Sequence, residues 1–218
     1  MLAALPGVPR VVAGGNFATP WQALAVLDAA VATYRLFMLN AQAGVPDRDG
    51  GHPITASFAF GSTELYDWMD RNPAIAMLRT ETTNDPARIA QRPRMVSVNT
   101  ALQVDLFCQA NASRVPGLVY SGFGGQTDFV VGALHSPGGQ AIIALPSWHP
   151  KADVSTVVPR LVGPVTSFQH SFIVSDQGTA AIWGHDASAQ AEQIITQVAH
   201  PSARDELREA GRGLGFQL

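Results

Sequence analysis

A run of glycines flanked by hydrogen-bonding side chains is the most specific chemical feature of this sequence. In Tyr120-Ser-Gly-Phe-Gly-Gly-Gln-Thr-Asp-Phe129 a predicted strand enters a glycine-rich turn and then a predicted helix. Glycines let a ligand approach the backbone closely, and free N–H groups in such a turn and at the following helix start can bind an anion or oxyanion. The spacing fits neither the dinucleotide-binding nor the P-loop pattern. A tight turn whose glycines merely adopt positive φ explains the same residues about as well. The acidic Thr127-Asp128 pair complements the dipole of a helix starting here.

A second cluster of polar side chains runs through Ser97, Asn99, Gln103 and Asp105 to Cys108, Gln109 and Asn111. On a strand, period-two alternation places Gln103, Asp105 and Phe107 on one face and Val104 and Leu106 on the other, the pattern of a wet sheet edge. Buried amides and carboxylates must be hydrogen-bonded, so a structural network outranks direct catalysis for these residues. The six histidines show none of the close pairings that zinc or nonheme iron sites favour, and no metal is expected. Cys108 is the only cysteine; nucleophilic use would need a base and an electropositive setting, and a buried, inert thiol is the expectation.

The elements that must position these residues are predicted from periodicity. Thr19-Pro20 opens an amphipathic helix to Asn40, carried by Leu24, Leu27, Val31, Tyr34 and Leu36. A glycine-, proline- and aspartate-rich loop follows over Ala43 to Pro53. Strands are predicted at Ile54 to Phe60, Met95 to Val98, Gln103 to Phe107, Gly117 to Tyr120, Ala141 to Leu145 and Ser171 to Ser175. Helices are predicted at Ser62 to Arg71, Thr127 to Leu134 and Ala187 to Ala199. This alternation predicts an α/β domain with a mixed, partly parallel sheet.

With 46% hydrophobic and 14% charged residues over 218 positions, the chain can bury a real core. Its net charge of −3 offers no broad basic field, so neither nucleic acid nor an anionic membrane is an expected partner. One cysteine allows no intrachain disulfide, and a reducing cytoplasm is the expected setting. The N-terminal residues, broken by Pro6 and Pro9, do not read as a signal peptide. The apolar stretches fall well short of the roughly 20 residues of a membrane span.

The segments Phe60-Gly-Ser-Thr-Glu-Leu-Tyr-Asp-Trp-Met-Asp-Arg-Asn-Pro73, Asn84-Asp-Pro86, Ser97-Val-Asn99 and Val104-Asp105-Leu106 resemble the acetyl-CoA hydrolase/CoA-transferase family. The likeness continues through Ser121-Gly-Phe-Gly-Gly-Gln-Thr-Asp-Phe129, Ile142-Ile-Ala-Leu-Pro146 and Ala199-His-Pro201, and covers about residues 54 to 210. It implies a NagB/RpiA/CoA-transferase-like fold, with residues 1–53 as a remnant of the domain junction and 54–218 as the family's C-terminal domain. It also implies CoA or acyl-CoA as substrate and a carboxylate acceptor. A separate N-terminal half or a second copy of the chain would be the protein partner.

By position, the resemblance gives Gly124 and Gly125 the role of N–H donors to the thioester oxygen and makes Asn99 an active-site asparagine. It assigns Ser121, Gly122 and Gln126 to CoA contact. The family acts through a glutamate that becomes acylated, and alignment through Asp28 puts Phe17 in its place. The family's Thr-Glu-Tyr-Gly reads Ser175-Asp-Gln-Gly178 here, and Ala189-Gln190-Ala191 replaces Glu-Arg-Ala. Three readings stay open: an active CoA-transferase or acyl-CoA hydrolase module completed by another half, a noncatalytic CoA- or partner-binding module, and an incomplete half.

Overall fold

The computed structural model describes residues 54–218 apart from 58, 60–62, 74, 116, 117, 123, 164 and 166–168. The helix expected from Pro20 to Asn40, the loop after it and Phe17 lie outside the described residues. Two compact units are distinguished. One holds the described residues up to Ser97 together with Val131–Gln140, and the other holds Val98–Val130 and Ala141–Leu218.

In the first unit, β1 (Ile54–Ala56) pairs in parallel with β2 (Ile75–Met77). Between them runs helix α1 (Thr63–Met69). Ala56 is buried, with Trp68, Met69 and Ile75 packed around it. Two short helices follow, α2 (Thr80–Thr83) and α3 (Pro86–Ala90). Asp85 caps α3, its carboxylate accepting from the Ala87 N–H, with Pro86 at the first helical position, where a missing N–H costs nothing.

The second unit carries the larger core. Strands β3 (Val96–Thr100), β8 (Gln140–Ala144), β12 (Phe172–Val174) and β13 (Thr179–Ala181) form a mixed sheet in the order β13-β12-β8-β3. β12 runs parallel to β8, with Ile173 opposite Ile143, and antiparallel to β13. A second sheet sets β11 (Val157–Val158) parallel to β4 (Gln103–Asp105), which pairs antiparallel with β5 (Ala110–Asn111). Val104, Leu106, Ile143, Ile173, Ile194 and Ile195 lie at the centre of the core. The burial of β8 on both faces explains its unbroken apolar run Ala141-Ile-Ile-Ala144.

Most of the predicted strands and helices are present with ends shifted by a residue or two, some longer and some shorter, and two departures are instructive. The helix expected over Ala187 to Ala199 is an α-helix, α5, only from Ala187 to Gln193, and it continues as a π-helical turn over Ile194–Val198. A last helix, α6 (Arg204–Gly213), was not predicted. Its residues are mostly charged, and only Leu207 and Gly211 are buried, so apolar periodicity carries almost no signal there. No described helix is long and apolar enough to cross a membrane.

Candidate functional site

The glycine turn is held from behind by a hairpin. β6 (Arg114–Val115) pairs antiparallel with β7 (Leu118–Val119), Arg114 standing opposite Val119. The pairing then extends one step, because the N–H groups of Tyr120 and Ser121 both donate to the Ser113 carbonyl, at 2.9 and 3.1 Å. The hairpin is set in turn by the buried amide of Asn111. Its Oδ1 accepts from the N–H of Ser113 at 3.2 Å and of Arg114 at 2.9 Å, and its Nδ2 donates to the Arg114 carbonyl at 2.7 Å. A buried amide with these bonds satisfied fixes its surroundings, as polar burial requires.

Gly122 and Gly124 belong to no helix or strand, and helix α4 (Gln126–His135) begins two residues after Gly124. The Phe129 N–H donates to the Gly125 carbonyl at 3.0 Å, which makes Gly125 the cap residue, and buried Phe129 and Val130 anchor the first turn. Further along, α4 lies so close to Ile89 that a Cβ on Gly132 would fall 2.5 Å from that side chain. Only glycine fits there.

The positive-φ explanation fails at two of the turn's glycines. Gly122 and Gly124 have no positive φ, so backbone conformation does not require glycine at either position. A Cβ added at either would meet nothing within 4 Å. What glycine provides here is open space against the main chain. The N–H groups of Gly124, Gly125 and Gln126 donate to no backbone carbonyl among the described residues. This is what the first N–H groups of a helix offer to a ligand. The Ser121 hydroxyl bonds locally to the Gly122 carbonyl at 3.0 Å. The Nε2 of Gln126 is buried without a hydrogen-bond partner among the described residues.

Ser121, Gly122, Gly124, Gly125 and Gln126 thus lie in one stretch of chain that leads from β7 into α4. Asn99 is on a different element, β3, where it is partly buried and engaged in an interaction of its own.

The polar cluster around Asp105 is not a wet edge. Asp105 is 0% exposed, and Val104 and Leu106 beside it are buried as well, so alternation between a wet and a dry face fails. Its Oδ1 accepts from the N–H groups of Phe107 (3.0 Å) and Gln109 (2.9 Å). Its Oδ2 accepts from Gln109 Nε2 (3.0 Å) and the Leu161 N–H (3.1 Å). With both oxygens engaged away from solvent, Asp105 ties the loop after β4 to the segment after β11 and is no nucleophile. An aspartate that accepts from N–H groups two and four residues on acts as a turn-forming side chain.

Cys108 follows in a left-handed conformation, φ 62°, and is buried. Burial, with the Asp105 charge adding to it, pushes its thiol up to about 12, and its Sγ lies 3.3 Å from Gln190 Oε1. A thiol so held is inert at neutral pH.

Asp176 accepts from the Ser147 N–H at 2.6 Å and the Ser147 hydroxyl at 3.0 Å. Burial raises its carboxyl, but the bonds from Ser147 and Gln177 outweigh that and hold it below the ordinary value. Among the described residues no group of three His, Cys, Asp or Glu could hold a metal ion.

Residues 61–211 match the family model of the acetyl-CoA hydrolase/transferase C-terminal domain. Among curated proteins, a succinyl-CoA:acetate/propanoyl-CoA:succinate CoA transferase of Fasciola hepatica is 36% identical over 163 residues, covering 72% of this chain and 34% of that protein. A probable butyrate:acetyl-CoA coenzyme A-transferase of Syntrophomonas wolfei is 40% identical over 157 residues, 69% of this chain and 35% of the relative. Among solved structures, RipA from Yersinia pestis superposes with a TM-score of 0.71 at 39% identity, over 78% of this chain and 39% of that one. A 4-hydroxybutyrate CoA-transferase from Porphyromonas gingivalis gives a TM-score of 0.61 at 34% identity, over 75% and 38%. The chain therefore spans about a third of the length of the curated relatives it matches.

Proposed function

The chain belongs to the acetyl-CoA hydrolase/transferase family and has the α/β fold of its CoA-transferase domains, and from that premise we propose that it is a CoA-thioester module whose turn Ser121–Gln126 receives the thioester carbonyl. The observation that carries this reading is the turn itself: Gly122 and Gly124 without positive φ and with open space where their side chains would be, and N–H groups with no backbone acceptor among the described residues. Preorganised N–H donors stabilise the oxyanion that develops when a thioester is attacked, removal of one such donor costing about a hundredfold to a thousandfold in kcat.

In this reading Gly124 and Gly125 point their N–H groups at the thioester oxygen, Asn99 assists, and Ser121, Gly122 and Gln126 meet the CoA portion. The substrates are a short-chain acyl-CoA and either a carboxylate acceptor or water. A carboxylate nucleophile completes the reaction: it attacks the thioester carbonyl and expels CoA as thiolate. Neither Asp105 nor Asp176 suits that role, since hydrogen bonds already occupy both. A separate N-terminal half, or a second copy of this chain, supplies the rest of the site. A reducing cytoplasm suits the single buried thiol.

A second reading is favoured by Phe17, which stands where the resemblance places the family's glutamate: the module binds CoA thioesters and leaves them intact.

Calorimetric titration of the full chain with acetyl-CoA tests the first claim. Gly124→Val meets no atom within 4 Å at its Cβ, so it should fold normally and weaken binding at least about tenfold, ~1.4 kcal/mol, by filling the approach to the turn. Gly125→Val and Asn99→Ala should also weaken it, whereas Cys108→Ser should not. Wild-type affinity in Gly124→Val would end this assignment of the site. Ping-pong turnover of acetyl-CoA and a carboxylate by the chain alone would exclude the second reading.

A further inference from the structure

Arg114 is the cation that the hairpin carries next to the turn. Its backbone is fully used, the N–H donating to Asn111 Oδ1 and the carbonyl accepting from Asn111 Nδ2. Its side chain makes no hydrogen bond and no ion pair among the described residues. The residue is partly buried, its Nε is enclosed without a hydrogen-bond partner, and no carboxylate pairs with it among the described residues. An enclosed guanidinium donor with no acceptor is costly, because water is lost and nothing replaces it. Exposed arginines elsewhere show the contrast, Arg71, Arg79 and Arg88 each lying beside a carboxylate.

Position gives this cation a direction of use. Arg114 stands opposite Val119 in the hairpin, and the neighbouring Ser113 carbonyl holds the N–H groups of Tyr120 and Ser121 at the start of the turn. The same short stretch of chain ends at Gln126, whose Nε2 is also buried and unpartnered among the described residues. Two enclosed nitrogen donors thus belong to the stretch of chain that leads into the turn and out of it, and the N–H groups of Gly124, Gly125 and Gln126 donate to no backbone carbonyl among the described residues. Donors of this kind, with a guanidinium among them, match an oxyanion.

We propose that Arg114, with Gln126, forms an oxyanion subsite beside the glycine turn and binds a negatively charged oxygen group of the substrate, the carboxylate of the acceptor acid or a phosphate of CoA. The inference rests on the reading of the turn as the thioester site, and adds to it a specificity-determining side chain. It accounts for an enclosed Nε that has no hydrogen-bond partner among the described residues.

The test is calorimetric titration of the full chain and of Arg114→Gln and Arg114→Lys. The probes are acetyl-CoA, CoA, 3′-dephospho-CoA, and butyrate or succinate in the presence of CoA. The backbone bonds to Asn111 do not involve the side chain, so the thermal midpoint of Arg114→Gln should match wild type.

Its affinity for the probe that carries the recognised group should fall about tenfold to a hundredfold, the range for a hydrogen bond to a charged group. Arg114→Lys should recover part of the loss, and the remaining binding of Arg114→Gln should depend less on salt. A loss for butyrate and succinate alone identifies the acceptor carboxylate. A loss for acetyl-CoA and CoA identifies a phosphate, and the 3′-phosphate in particular if dephospho-CoA binds both proteins equally.

If acetyl-CoA binds wild type and Arg114→Gln with equal affinity, and the carboxylates do too, the subsite is refuted while the turn stands. If Arg114→Gln lowers the thermal midpoint with binding unchanged, the arginine is structural and the proposal fails. If wild type binds none of the probes, both the subsite and the thioester reading fall.

Discussion

Replacing Asp105 should destabilise the protein far more than a typical aspartate substitution, and the structure allows the cost to be worked out. The carboxylate is 0% exposed and accepts four bonds, three of them from backbone N–H groups. Asp105→Asn keeps the shape. If its oxygen stays with the N–H groups of Phe107 and Gln109, its new NH2 faces Gln109 Nε2 and the Leu161 N–H. Gln109 can rotate its amide to offer an oxygen, but Leu161 cannot. One orphaned buried donor costs about 1–3 kcal/mol, and losing charge assistance on the remaining bonds brings the total to roughly 2–4 kcal/mol. Asp105→Ala strands all three backbone donors and should cost about 4 kcal/mol or more.

Urea unfolding followed by circular dichroism measures this. With a slope of about 2 kcal/mol/M, the Asn variant should lose roughly 1–2 M in midpoint, and the Ala variant more. If Asp105→Ala unfolds within 1 M of wild type, or no earlier than Asp105→Asn, then the donors have other partners and the network argument is wrong.

Two further outcomes follow from burial. His170 is buried and its imidazolium is disfavoured, burial lowering its value to about 4 from 6.5. The unfolded chain therefore binds the proton first, so this contribution is complete above about pH 6.5 and is lost as pH falls towards 4. Thermal midpoints of wild type should drop over that window more steeply than those of His170→Gln, and parallel curves would count against it. Gly132→Ala should destabilise despite the helix preference for alanine of about 1 kcal/mol, because its Cβ would fall 2.5 Å from Ile89 and 3.2 Å from the Pro86 carbonyl. Chemical denaturation showing Gly132→Ala as stable as wild type would mean that α4 and Ile89 separate easily.

Features set by near neighbours along the chain could be read without the fold. The strand–turn–helix through Ser121 to Phe129 was legible because glycines, an acidic first turn and the change of periodicity all lie within ten residues of one another. The apolar run at Ala141 to Leu145 was legible as a strand for the same reason, and the family motifs lay along the chain in order. The tertiary structure decided what depends on distant neighbours. Asp105 reads as one face of an exposed strand until Leu161, 56 residues on, brings its N–H to the second oxygen. The glycines at 122 and 124 could have served positive φ or open space, and only their backbone angles and empty surroundings chose. Gly132 looks dispensable until Ile89 packs against it. Arg114 looks like any surface cation until the fold encloses its Nε with no acceptor among the described residues. In each case a side chain's role is set by which atoms surround it, and a chain's spacing fixes such neighbours only within a turn or a hairpin.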